Sequence, residues 1–178
     1  KSTVLRAIYK DIPIADGNLY INGEEIKRIR RRLIPYFRRK IGMIFQDYLL
    51  IQDRTVYENI ALPLQIAGEK NKKIRHKVYG IIDKVGLENR KRNYPSQLSG
   101  GEKQRVSIAR ALVKDPIVIL ADEPTGNLDP IVSDEILDLL ELATESGAAI
   151  LMSTHNFPLI QPRKKRFIEL NEGRLVTH

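Results

Sequence analysis

The sequence contains no cysteine, which excludes disulfides, zinc–thiolate centres and cysteine nucleophiles. Long apolar runs are also missing. Stretches such as residues 117–121 reach about five residues, against the roughly 20 that a membrane helix needs, so no transmembrane span is expected. Glycine and proline are modest, 11 and 9 in 178 residues, and 42% of the chain is hydrophobic. Those values exclude collagen-like, low-complexity and disordered classes and point to one globular domain. Acidic residues are outnumbered: 22 Asp and Glu face 30 Lys and Arg, a formal net charge of +8. One segment can account for the excess, because Lys27, Arg28, Arg30, Arg31, Arg32, Arg38, Arg39 and Lys40 enclose no acidic residue. An anionic partner is implied, whether nucleotide, nucleic acid or lipid headgroup, although a solvated loop could carry the same run.

Two textures alternate along the chain. Val4, Leu5 and Ile8 predict a helix over residues 1–10, and residues 19–21 meet Asn22-Gly23, a hairpin dipeptide. Residues 41–45 read as a short strand. Residues 55–62 and 71–85 read as helices, the second with Ile74, Val78, Ile81, Ile82 and Val85 on one stripe. A helix over 100–113 stops at Asp115-Pro116, and an apolar strand of parallel type follows over 117–121. A helix over 131–144, a second buried strand over 148–153 and a closing hairpin (167–170 and 174–177) complete the chain. Strand, helix, strand implies an α/β fold with a mainly parallel sheet flanked by helices. The largely helical stretch 47–96 interrupts this pattern and reads as an inserted lobe.

The string Leu98-Ser99-Gly100-Gly101-Glu102-Lys103-Gln104-Arg105 is the most informative. Ser99 stands at an expected N-cap, and two glycines let backbone N–H groups approach a ligand at the positive end of a helix, which suits phosphate. Any capped helix could contain part of this string; the whole is far rarer. The strand over 117–121 then delivers Asp122 and Glu123 to its carboxyl end, where open α/β sheets bind ligands. On an extended chain neighbouring side chains point opposite ways, so one carboxylate can serve Mg²⁺ while the other polarises an attacking water. Lys1-Ser2-Thr3 matches the last positions of the phosphate-loop pattern G-x-x-x-x-G-K-[ST]. In that reading Lys1 reaches the β- and γ-phosphates, Ser2 ligates Mg²⁺ and Thr3 bonds the α-phosphate. Gln46 directly follows a strand, and its amide can serve both a metal-bound water and a phosphate oxygen, or simply occupy a loop. His155 follows the second strand and can donate to a γ-phosphate oxygen, whereas His76 and His178 read as solvated. Asn127-Leu128-Asp129 reads first as a turn capping the next helix, and second as a contact across a dimer.

Taken together these residues resemble the ATP-binding cassette (ABC) ATPases over essentially the whole chain. Lys1 to Thr3 match the end of the Walker A loop, Gln46 the Q-loop and Leu98 to Arg105 the signature. Asp122 and Glu123 match Walker B with its catalytic glutamate, Asn127 to Asp129 the D-loop, and His155 the switch histidine. The resemblance implies a P-loop NTPase core over 1–46 and 97–178, with a helical subdomain over 47–96. It implies ATP and Mg²⁺ as ligands, with Glu123 and His155 catalytic. Lys1, Ser2, Thr3, Gln46, Ser99, Gly100, Gly101 and Asp129 would bind nucleotide, and Ser2, Gln46 and Asp122 would face the metal. It further implies a homodimer closing head-to-tail on two nucleotides. The glycine-rich half of Walker A, its strand and the adenine-stacking aromatic are expected to precede Lys1, and without them ATP binding and hydrolysis are expected to be poor. Residues 45–50 and 53–64 look most like the cell-division members of the family; lipoprotein-release and macrolide-export members are the near alternatives. An integral membrane permease is then the implied partner, with the chain peripheral on the cytoplasmic face of the bacterial inner membrane and an anionic lipid contact through the basic run. Pro158 and Pro162 depart from the plain helix that relatives often carry after the switch histidine. A nucleic-acid ATPase of SMC or repair type shares the signature, but about a hundred residues between Lys1 and Ser99 leave no room for a long coiled coil, so nucleic acid is not expected as partner.

Overall fold

The computed structural model describes residues 1–145 and 147–176; Thr177 and His178, assigned above to a strand end and to solvent, lie outside the described residues. Three strands, β3 (Ile41–Ile44), β4 (Val118–Asp122) and β5 (Ala149–Ser153), pair in the order β3-β4-β5 and are parallel throughout. They are apolar because helices cover them. Helix α5 (Gly100–Leu112) lies so close to β3 that a side-chain carbon at Gly42 would come within 3.2 Å of the Ala111 carbonyl. Helix α6 (Pro130–Glu145) makes the crossover between β4 and β5 and buries Ile136, Leu137, Leu139 and Leu140. On the amino-terminal side α1 (Ser2–Ile8) buries Leu5 and Ile8 in a smaller cluster with Ile26, Phe37, Ile41 and Leu120.

The hairpin expected at Asn22-Gly23 is present: β1 (Tyr20–Ile21) pairs with β2 (Glu24–Glu25), and both turn residues have positive φ, 48° and 77°. A short α2 (Ile34–Arg39) leads into β3, and between β3 and α5 stand α3 (Val56–Ile66) and α4 (Asn71–Lys84). α3 runs past the expected boundary, through Pro63 to Ile66. Burial of Ile60, Ala61 and Leu64 holds the last turn despite the missing proline N–H. These helices share one apolar cluster with α5 and β4. After β5, Pro158 falls in the first turn of a four-residue α7 (Phe157–Ile160), and a 3-10 turn Gln161–Arg163 follows. The closing hairpin, β6 (Glu169–Asn171) with β7 (Arg174–Val176), is antiparallel.

The basic run is largely spent within the fold. Arg38 donates to the Tyr9 and Lys10 carbonyls, Arg39 to that of Ile66, and Lys27 to those of Ala15 and Gly17. Arg28 pairs with Glu25, and Lys40 lies 3.9 Å from Glu24. Arg30, Arg31 and Arg32 are exposed, and their side chains make no hydrogen bond or ion pair among the described residues.

Candidate active site

The carboxyl ends of the three parallel strands converge, because parallel strands all finish at one edge of a sheet. β4 ends at Asp122, directly opposite Ser153 at the end of β5. Asp122 Oδ1 accepts from Ser2 Oγ at 2.9 Å and from Ser153 Oγ at 2.6 Å. Lys1 Nζ donates to the Thr154 carbonyl at 2.5 Å, which lays the amino terminus of α1 across β5 and β4. Thr3 is exposed.

Glu123 leaves the strand in a left-handed conformation, φ 47°. Asp122 and Glu123 therefore diverge because the backbone kinks between them, where strict strand alternation was expected to separate them. The kink is held by the Glu123 N–H, which donates to the Ser153 carbonyl at 3.1 Å, and by Gly126 N–H, which donates back to the Glu123 carbonyl at 3.1 Å. Side-chain Oε2 of Glu123 lies 2.9 Å from His155 Nδ1 and accepts from the His155 backbone N–H at 3.3 Å. The carboxylate is 15% exposed and the imidazole 71%, so the ring stands between a sheltered carboxylate and solvent. Gln46 closes the group: a carbon built on Gly126 would lie 3.7 Å from its amide nitrogen and 3.6 Å from Glu123 Cβ.

Ser99 caps α5 as expected. Its Oγ accepts from Glu102 N–H at 3.2 Å, while Glu102 Oε2 accepts from Ser99 N–H at 2.8 Å. That bond, with the Arg90 guanidinium beside it, holds the Glu102 carboxyl below its ordinary range. The first two amides of the helix, on Gly100 and Gly101, have no partner within it. Gly101 has a second duty: a side-chain carbon there would stand 2.7 Å from Val132 Cγ1, so α5 and α6 could not approach as they do. Gln104, in the same string, is buried instead. Asp129 Oδ1 accepts from Val132 N–H at 3.0 Å, the capping role read from sequence. Among the described residues, no hydrogen bond or ion pair joins Ser99–Gly101 to Lys1, Ser2, Asp122 or Glu123.

The sequence reading missed Ser153 and the Thr154 carbonyl. Ser153 is a buried hydroxyl ending an apolar strand, a signal visible in sequence, but its partner depends on which strand lies alongside.

Residues 1–126 match the family model described as ABC transporter. The chain is a member of the ABC ATPase family. It is 49% identical over 175 residues to the cell division ATP-binding protein FtsE of Escherichia coli strain K12, covering 98% of this chain and 79% of that protein. Identity to FtsE of Streptococcus pneumoniae strain D39 is 44% over 176 residues, covering 99% and 76%. FtsE of Bacillus subtilis strain 168 shares 43% over 176 residues, covering 99% and 77%. Among solved structures, the dimeric post-hydrolysis cassette MJ0796 bound to ADP and Pi superposes with TM-score 0.79 at 34% identity, covering 89% of this chain and 71% of that one. CbiO1 of Clostridium perfringens, part of the transporter complex cbiONQ, superposes with TM-score 0.89 at 30% identity, covering 99% and 70%. The family fixes the activity of this ABC ATPase as nucleotide binding and hydrolysis. No described helix is long and apolar enough to cross a membrane.

The site suits a hard divalent cation. Ser2 Oγ and Asp122 Oδ1 stand 2.9 Å apart, about the 3 Å separation of adjacent oxygens around octahedral Mg²⁺. No cluster of three acidic or imidazole ligands exists among the described residues. Mg²⁺ sites completed by substrate phosphates and water rather than by a protein cage have this sparse donor set.

Proposed function

We propose that this ABC ATPase closes as a head-to-tail homodimer on two nucleotides and drives an integral membrane permease of FtsX type. In that complex ATP turnover is relayed to cell-wall hydrolases outside the cell, with no solute moved. Its place is peripheral, on the cytoplasmic face of the bacterial inner membrane, with residues 47–96 as a helical subdomain beside a core of 1–46 and 97–178. Similarity to FtsE from three organisms supports the cell-division setting. One observation carries the chemistry: Glu123, sheltered and held by His155, stands beside the Asp122–Ser2 pair at one sheet edge.

The roles follow from position. Lys1 neutralises β- and γ-phosphate oxygens, and Thr3 bonds the α-phosphate. Ser2 and Asp122 supply hard oxygens for Mg²⁺, with Gln46 at its rim; bound there, the ion polarises phosphate oxygens. Glu123 orients a water and takes its proton as the water attacks the γ-phosphorus, while the bond to the β,γ-bridging oxygen breaks and ADP leaves with that oxygen. His155 serves both contacts with a proton on each ring nitrogen, Nδ1–H directed at Glu123 and Nε2–H at a phosphate oxygen. Ser99, Gly100 and Gly101 present hydroxyl and amide donors to the nucleotide of the opposite subunit, and Asp129 lies at that seam. Loss of the γ-phosphate removes the bridge, and the dimer opens.

In the full-length protein, Glu123→Gln is expected to lower turnover by roughly 10² to 10⁴-fold, the contribution of a positioned base. Dimers seen by light scattering with ATP should persist. Near-normal hydrolysis by this variant would refute the assignment. For the anionic lipid contact, Arg30, Arg31 and Arg32 are the members of the basic run whose side chains remain uncommitted among the described residues. Replacing all three with Gln should abolish salt-sensitive sedimentation with vesicles containing anionic lipid, and a DNA gel shift in the same buffers should stay negative.

A further inference from the structure

The turn after Gln46 is wound against its own preference. Tyr48 and Leu49 are consecutive non-glycine residues in the left-handed region, φ 59° and 47°. Such a conformation persists only where its surroundings impose it. The Leu49 side chain does not: it is 55% exposed. The turn closes on itself through Tyr48 N–H to the Phe45 carbonyl (3.2 Å) and Leu49 N–H to the Asp47 carbonyl (2.5 Å), and Arg110, on the last turn of α5, adds the constraint from outside it. Its two terminal nitrogens donate separately to the Tyr48 and Leu49 carbonyls, each at 2.6 Å. These are charge-assisted bonds, the strong class, and a planar fork suits two adjacent acceptors. The same helix also touches the turn near its other end, since the Tyr48 hydroxyl lies 3.4 Å from a carbon built on Gly100. Helix α5 therefore holds Tyr48 by its carbonyl, with the Tyr48 hydroxyl close to the first residue of the helix.

We propose that Arg110 is a positioning residue for hydrolysis: its fork holds the strained turn that sets the Gln46 amide beside Gly126, in the loop that follows Glu123, so that the signature helix and the glutamine turn move as one piece. This rests on the place given above to Gln46 in the hydrolytic site. The bonds fix the backbone and leave Lys1, Ser2 and Asp122 untouched, so the effect belongs in kcat and not in the KM for ATP.

The test uses the full-length protein with two readouts. Without nucleotide, hydrogen exchange at the amides of residues 47–51 should quicken by about tenfold or more in Arg110→Ala, while α6 and β4 keep their protection. With Mg-ATP, kcat should fall by roughly 10 to 100-fold with KM shifted less than about threefold, and Arg110→Lys, a point charge without the fork, should fall between. Adding Leu49→Gly to Arg110→Ala should recover several-fold in kcat, because glycine takes the left-handed conformation without a clamp. Unchanged exchange with unchanged kcat overturns the proposal. So does a loss of kcat that glycine does not recover and that tracks a lowered melting temperature, since Arg110 would then be ordinary packing. Gln46→Ala run alongside separates the layers: if it hydrolyses at the wild-type rate, the placing of Gln46 fails, whatever the exchange data say of the clamp.

Discussion

Lys114 stands where a cation is disfavoured. Burial, with the nearby Arg110 charge adding to it, lowers its pKa to about 8, while its Nζ donates to the Arg38 carbonyl at 2.8 Å. In the unfolded chain the amine keeps its proton up to about 10.5. Between those values the unfolded state binds more protons than the native one, so this residue makes stability rise with pH from about 8 towards 10.5. Tyr9, whose hydroxyl is pushed up chiefly by burial, acts in the opposite sense above about 10. Urea unfolding at pH 7.5 and 9.5 is therefore expected to show wild type gaining on Lys114→Met, and parallel pH profiles would refute this account. Asn59 makes a second case. Fully buried, it accepts from Ile51 N–H at 2.8 Å and donates to the carbonyls of Ile51, Arg54 and Thr55 at 3.0–3.1 Å. Asn59→Ala should cost about 1–3 kcal/mol by denaturant midpoint, as those loop groups lose their partner. Neither residue announces itself in sequence, because a lysine after a helix and an asparagine inside one are ordinary until the neighbouring chain is known.

At the scale of elements, the close approach of α5 to α6 is the feature most exposed to a single methyl group. Val132 Cγ1 would lie 2.7 Å from a side-chain carbon on Gly101, and a β-branched side chain cannot swing clear. Gly101→Ala should lose about 1–3 kcal/mol by overpacking. Val132→Ala opens space at that point, so the double variant should be more stable than the sum of the single losses predicts. Strict additivity in a double-mutant cycle would remove the contact from the explanation. Here sequence and structure part company instructively. Ser99 as cap, the Asn22-Gly23 hairpin and the strands ending near Ile44, Asp122 and Ser153 were all legible, because capping, turn chemistry and apolar runs are local signals. The second duty of Gly101, the continuation of α3 through Pro63 and the kink at Glu123 were not. Each is imposed by an element distant in sequence.

For the whole molecule the same division holds. Candidate residues with a motif around them (Lys1, Gln46, Ser99, Asp122, Glu123, His155) stand out on the chain alone, whereas Ser153 and Arg110 become candidates only with strand order and helix packing. What one chain brings together is a half-site, with Lys1, Ser2, Gln46, Asp122, Glu123 and His155 at one sheet edge and Ser99–Gly101 joined to them by no hydrogen bond or ion pair among the described residues. A two-fold pair, with Ser99–Gly101 of each copy facing the sheet edge of the other, would meet both needs with one isologous contact. Ile131, 75% exposed and two residues after the Asp129 cap, is an apolar side chain open to such a contact. Complementation tests this directly. Full-length Glu123→Gln and Ser99→Phe should each hydrolyse ATP poorly alone. In the mixed dimer one site contains both lesions and the other contains neither. Random exchange makes half the dimers mixed, so turnover should recover to roughly a quarter of wild type on mixing. If the mixture stays as inactive as its components while light scattering shows that mixed dimers form, each chain builds its site alone and the shared-seam mechanism is wrong.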